Sequence, residues 1–186
     1  MTATINMSAT TIAVNRFGLG YRLNEANPTD PKQWLMAQFG QYQARPGAWA
    51  NQRSSSAIVA DLAQYQMQTR NTSNNDQEWV KRAFKREVRD DYLAAVNART
   101  ESALNSTAPF IERLVCFWSN HFAVSVQKPA VTDLAGAFEL EAIRPFVLGN
   151  FRDMLLAVEK HPAIARDRAC SRRPRPCALS WRRSRR

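Results

Sequence analysis

The chain has 186 residues, 45% of them hydrophobic, with five Trp and nine Phe, which suits one packed domain and excludes a disordered chain. No stretch approaches the ~18 consecutive apolar residues of a membrane span, and three Cys without a CxxC pair define no disulfide framework. The formal charge of +10 is uneven: residues 166–186 hold nine Arg and one Asp, so nine minus one places +8 there and +2 in the other 165 residues.

Residues 1–15 carry no Lys or Arg and no sustained apolar core, so they do not read as a secretory signal, and a reduced, cytoplasmic compartment is the default. Residues 11–17 predict a short apolar helix closed by Gly18-Leu19-Gly20. Two glycines, with no third glycine, preceding strand or downstream acid, make no dinucleotide site. Asp30-Pro31-Lys32-Gln33 predicts a helix start, with Asp30 as N-cap, Pro31 at the first helical position and Gln33 completing a capping box. Trp34, Leu35 and Phe39 are its expected buried stripe, and Gly40 its left-handed stop.

Ser54-Ser55-Ser56 leads into Ile58, Leu62, Tyr65 and Thr69, whose spacing is helical. Residues 71–76 read as a polar turn. Val80, Phe84, Val88, Tyr92 and Val96 then recur every four residues along a long helix over 77–104. Its basic side, with Lys81, Arg82, Lys85, Arg86 and Arg89, is interrupted by Glu87, Asp90 and Asp91. A solvated charged face with an Arg86–Asp90 pair is expected there.

Pro109 opens the most apolar helix, through Phe110, Ile111, Leu114, Val115, Phe117, Trp118 and Phe122, which predicts a central position buried on most sides. A further helix is expected over 132–143, ended by Arg144-Pro145. Asn150 and Asp153 then start a helix carrying Phe151, Met154, Leu155 and Val158, which stops before His161-Pro162. No strand and no repeat is visible. The fold class is all-α, an irregular multi-helix bundle.

At His161-Pro162 the chain changes character. Residues 166–186 hold no Lys, two of the three Cys and almost no apolar periodicity. Arg, Pro, Ala, Ser, Cys and Trp are also what G/C-rich DNA yields out of frame. Residues 164–186 are therefore expected to be a disordered Arg-rich tail, out of frame or foreign, on a truncated helical part over 1–163. Such a truncated core would leave apolar helix faces in water. The competing reading is a nucleic-acid arm, in which Arg172-Arg173-Pro174-Arg175 and Arg182-Arg183-Ser184-Arg185-Arg186 flank Trp181. The absence of Lys weighs against it.

The residues that could carry chemistry are Asn120 and His121, at the end of the most apolar helix, with Glu139, Glu141 and Arg144. His121 beside either carboxylate could act as a general base or bind a metal. Alternatively, Asn120 and His121 satisfy backbone carbonyls at a helix terminus. No HxxxH, ExxH, P-loop, GxSxG or zinc-finger spacing occurs, so neither a metal nor a cofactor site follows. Cys116 reads as a small core residue, since an apolar site raises a thiol pKa.

Three blocks, in order, carry a family resemblance. They are Ala13-Val14-Asn15-Arg16-Phe17-Gly18-Leu19-Gly20, then Glu112-Arg113-Leu114-Val115-Cys116-Phe117-Trp118-Ser119-Asn120-His121-Phe122-Ala123-Val124-Ser125, then residues 143–153 continuing to His161-Pro162-Ala163. Together they resemble the bacterial family called domain of unknown function 1800, over residues 1 to 163. Phe146 stands where the family often has His, which weakens a histidine-based site. After Ala163 the apolar run and the Asn- and Glu-rich helical half of the pattern are not seen. The resemblance implies a helical protein of which this is an N-terminal part, with no catalytic residues to transfer. It also implies a partner, a sulfatase-like protein of the family called domain of unknown function 1501, and co-export with it.

Overall fold

The computed structural model describes residues 8–20, 27–125 and 129–171. Among these residues the chain folds as helices joined by short turns with no strand, an all-α multi-helix architecture. The first helix, α1 (Ala9–Phe17), is capped by the Ser8 hydroxyl, which accepts the Thr11 N–H at 3.2 Å. In α2 (Pro31–Gln41) the Asp30 carboxylate accepts the N–H groups of Lys32 and Gln33 at 2.9 and 3.1 Å, as the sequence predicts.

Gly40 does not stop this helix. α2 runs through it and ends where Tyr42 turns extended and its hydroxyl donates to the Arg144 carbonyl at 3.0 Å. The expected stripe is only partly inside, since Trp34 and Leu35 are half-buried and Phe39 is exposed. The fully buried residue is Gln38, whose Oε1 accepts the Phe110 N–H at 2.7 Å. It thereby satisfies a first-turn donor of a later helix that has no partner within its own helix.

Helix α3 (Ser55–Asn71) buries Ile58 and Leu62 and half-buries Tyr65 and Thr69, following the predicted spacing. The polar turn shrinks to Thr72 and Ser73, and α4 (Asn74–Asn105) then runs for 32 residues, about 48 Å. The four-residue repeat does not hold its face. Each step of four turns the stripe by about 40° past the helical period. Val88 is therefore buried, but Val96 faces water, and Ala95, Ala98 and Ser102 take over the inner side. On the charged side Asp90 pairs with the adjacent Arg89 at 3.3 Å, in place of the expected Arg86.

Helix α5 (Pro109–His121) buries Ile111, Glu112 and Val115 but exposes Phe117, so it is less central than its composition suggests. The centre is the segment 129–147. The single helix expected over 132–143 is broken into α6 (Pro129–Thr132) and α7 (Leu134–Phe138), followed by a π-helical turn over Glu139–Ile143 and a 3-10 turn over Arg144–Phe146. This segment supplies Leu134, Ala137, Phe138, Ala142, Ile143 and Val147 to the main core. The widened π turn is what lets a run that apolar also place Glu139 and Arg144 inside.

Helix α8 (Phe151–Lys160) buries only Met154 and Val158 of the four expected residues, because Phe151 and Leu155 face outward. His161 is extended before Pro162, as a residue preceding proline prefers. The chain then re-enters a helix, α9 (Pro162–Ser171). Ala163 is buried in the core, Ile164 packs against it, and Arg168 forks onto the Glu159 carboxylate at 2.6 and 2.7 Å. This helix runs on past residue 163, the expected boundary of the helical part. Residues 172–186, on which both tail readings depend, lie outside the described residues.

Candidate functional site

A charge buried in an apolar bundle must be paired, and the fold does this around Arg144, which is 0% exposed. Its Nη1 and Nη2 donate to the two carboxylate oxygens of Glu112 at 3.0 and 2.6 Å, and its Nε donates to Glu139 Oε1 at 3.1 Å. The other oxygen of Glu139 accepts Arg99 Nε at 2.5 Å and Arg99 Nη2, and Ser119 Oγ at 3.3 Å. Two carboxylates thus meet two guanidiniums. The Trp49 ring lies 5.2 Å from the Arg144 guanidinium carbon, adding a cation–π contact.

Burial alone would push the Arg144 guanidinium down, but the Glu112 hydrogen bonds and the charges of Glu112 and Glu139 hold it above its usual value. The Tyr42 phenol is pushed up, first by burial. Arg144 is therefore a fixed cation.

Glu141, two residues from Glu139, points the other way along the widened turn. It accepts the Ser55 N–H at 2.8 Å and the Ser55 hydroxyl at 2.6 Å, tying the π-helical turn to the start of α3. His161 Nδ1 accepts the Ala163 N–H at 3.2 Å, which leaves the proton on Nε2, 3.3 Å from Glu141 Oε2. Burial lowers the His161 pKa, partly offset by Glu141, so the ring is neutral near pH 7.

Beside the arginine network opens a cleft of about 180 Å3. Its walls are mostly apolar, including Trp49, Ala95, Val124 and Phe138, and Arg99, Ser119, Asn120 and Glu139 form one polar edge. An apolar hollow with a few convergent polar groups is the general form of a small-ligand site.

The expected constellation therefore divides. Glu139 and Arg144 are joined, and Asn120 lies on the same cleft. Glu141 serves a separate network, and His121 stands apart. The His121 ring is exposed and packs on Trp118 and Phe122, with centroids at 5.6 and 4.8 Å, while both carboxylates are engaged elsewhere. Among the described residues no group of three His, Cys, Asp or Glu could hold a metal ion. Cys116 is half-buried, with its thiol pKa raised, first by burial.

Sequence reasoning missed Glu112, Arg99 and Ser119. For Glu112 a signal exists: Ala108, Ile111, Glu112 and Val115 share one helical face, so an acid there demands a buried cation. Arg99 carries no such mark.

Among the described residues no helix is long and apolar enough to cross a membrane. Among curated proteins and among solved structures, nothing matches this chain. A family model does match, over residues 12–173, past the Ala163 boundary at which the sequence resemblance stops. The chain belongs to that family, described as protein of unknown function (DUF1800).

Proposed function

We propose that this chain is a helical binding module that docks a partner protein through the apolar face formed by α5 and α8. One observation carries the proposal. Phe117, 57% exposed, and the exposed Phe151 touch the half-buried rings of Trp118 and Phe122, and the exposed Leu155 follows Phe151 one turn along α8. Trp118 and Phe151 approach to 5.4 Å between centroids, and Phe122 and Phe151 to 6.3 Å, so the face is continuous. Contiguous apolar surface of this kind on a soluble domain marks an interaction site. The partner proposed is the one the family resemblance implies, a sulfatase-like protein of the domain of unknown function 1501 type. A tagged intact homologue, expressed in cells that also make the sulfatase-like protein, should recover it. A variant of that homologue with Ser in place of the residue matching Phe117 should not. No recovery by the unaltered homologue sinks the proposal.

The cleft beside Glu139 supports a second reading, a small-ligand or substrate site. The Ser119–Glu139 contact at 3.3 Å, on the polar edge with Asn120, favours it. Both oxygens of Glu139 are already taken by Arg144, Arg99 and Ser119, which suits orienting a ligand better than moving a proton. A thermal-shift screen of small polar molecules tests it. A hit whose shift survives Asn120→Leu and Ser119→Ala does not bind in this cleft.

A further inference from the structure

Helix α9 begins on a nitrogen that can take a proton. Pro162 has no N–H, so the first donor of α9 is the Ala163 N–H, which His161 Nδ1 accepts at 3.2 Å. The next two, from Ile164 and Ala165, go to the His161 carbonyl at 3.1 and 3.3 Å. His161 thus caps α9 with its ring and its carbonyl together. It also closes α8, its own N–H going to the Val158 carbonyl at 3.1 Å. Ala163 is 0% exposed, so water cannot take over from the ring nitrogen.

The ring is held so that Nδ1 is the atom left to gain a proton. Nε2 keeps its hydrogen toward Glu141 Oε2, and Phe138 of α7 packs edge-on at 5.2 Å between centroids. Glu141 also holds the Ser55 N–H and hydroxyl at the start of α3. Its charge favours a protonated ring, but burial opposes this and outweighs it. Of the charges on α8 and α9, Glu159 and Arg168 pair with each other near the surface, and Lys160, Arg166 and Asp167 do not act on the ring. The end of α8 and the start of α9 meet at His161 with opposite dipole ends, so neither decides its charge.

We propose that His161 is an acid-operated lock on α9: a proton taken up at Nδ1 breaks the cap bond, and α9 leaves its seat on α6, α7 and α8 while the rest of the bundle stays folded. A protonated Nδ1 is a donor facing a donor. The Ala163 N–H is then buried without a partner, and unseating the first turn of α9 is what returns it to water. Among the described residues, α9 gives the main core only Ala163 and Ile164, so few apolar contacts hold it down. Its departure would uncover apolar surface on α6, α7 and α8, against which it packs.

The sense of the response follows from the direction of the shift. The folded ring titrates below the 6.5 of a free histidine, so its contribution to stability is complete above that value and is lost as pH falls through the folded one. Asp133, at about 6, titrates in the same range with the opposite sign. Global stability therefore mixes the two groups, and a local readout on α9 separates them.

The test is amide hydrogen exchange of the full chain from about pH 7.5 to about pH 5, corrected for intrinsic rates, with His161 protonation followed by NMR of its ring. Protection of residues 163–167 should fall by about tenfold as the ring gains its proton, while residues 88–98 of α4 hold theirs. In His161→Asn the carboxamide oxygen can cap α9 without titrating, so protection there should not change with pH. Asp133→Asn should keep the acid loss. Equal acid loss in the parent and in His161→Asn would overturn the proposal. So would loss of protection in α4 together with α9, or an acid loss that disappears in Asp133→Asn. Should His161→Asn fail to fold, the parent decides alone: a ring that gains its proton while the Ala163 N–H stays protected is no lock.

Discussion

Arg144 is a full charge held where water does not reach, and the outcome of removing it follows from what it leaves behind. Arg144→Leu would strand the Glu112 and Glu139 side chains, 4% and 2% exposed, leaving Arg99 and Ser119 on Glu139. Breaking one side of a buried ion pair costs about 3–5 kcal/mol. Chemical denaturation should show a loss of that size, whereas Arg99→Leu, from a half-exposed site, should cost less. Equal losses would mean that burial is not what sets the energy. Asp133 answers to pH. Burial raises its carboxyl from 3.8 to about 6, partly opposed by Arg53. A folded-state value above the unfolded one favours the folded state fully below pH 3.8, and that contribution fades as pH rises through about 6. The gap converts to roughly 3 kcal/mol. Asp133→Asn should therefore exceed the parent in stability at pH 8 by up to that amount, and gain little at pH 4. Urea midpoints of both proteins at the two pH values decide it, and a difference independent of pH refutes the assignment. Glu139 and Arg144 could be named from the sequence, and Glu112 carried a signal on its apolar helical face, but Arg99 carried none. Glu112 and Arg99 approach them only through the tertiary fold.

At the scale of elements, starts were more legible than faces. Asp30 and Ser54 cap the helices they announce, because capping is a contact within three residues. The inner face of α4 was not legible past Val88, because a four-residue repeat drifts off any fixed side of a helix. Nor was the break at Asp133 and the π turn after it, which depend on α4 packing against α7. Gly136 records that packing. A Cβ there would sit 2.5 Å from Ala95 Cβ on α4 and 2.8 Å from Gln52 Oε1. Gly136→Ala should cost about 1–3 kcal/mol as overpacking. Gly40 gives the opposite case. It lies inside α2, exposed, with nothing within 4 Å of an added Cβ, so Gly40→Ala should stabilise by about 0.5–1 kcal/mol. Thermal melts of the two variants should move in opposite directions. If both move the same way, the close approach of α7 to α4 is not what Gly136 serves.

For the whole molecule, the all-α class and the family were readable because both rest on runs of local pattern. The outer surface was not, because composition cannot say which side of an apolar helix meets another element. The result is the face of Phe117, Trp118, Phe122, Phe151 and Leu155, where α5 and α8 meet water with their aromatic and aliphatic side chains. Apolar area left uncovered is a standing drive for association, at about 25 cal/mol per Å2 that contact would remove from water. Long-range repulsion from the net charge opposes it and weakens in salt. The isolated chain should therefore self-associate with rising concentration, more strongly in high salt, and bind an apolar dye. Phe117→Ser with Phe151→Ser should suppress both effects. The same pair should leave the denaturation midpoint nearly unchanged, because exposed side chains contribute little to folding. Sedimentation across a concentration series reads the first effect and dye fluorescence the second. A parent chain that stays monomeric throughout and binds no dye would remove the drive on which partner docking rests.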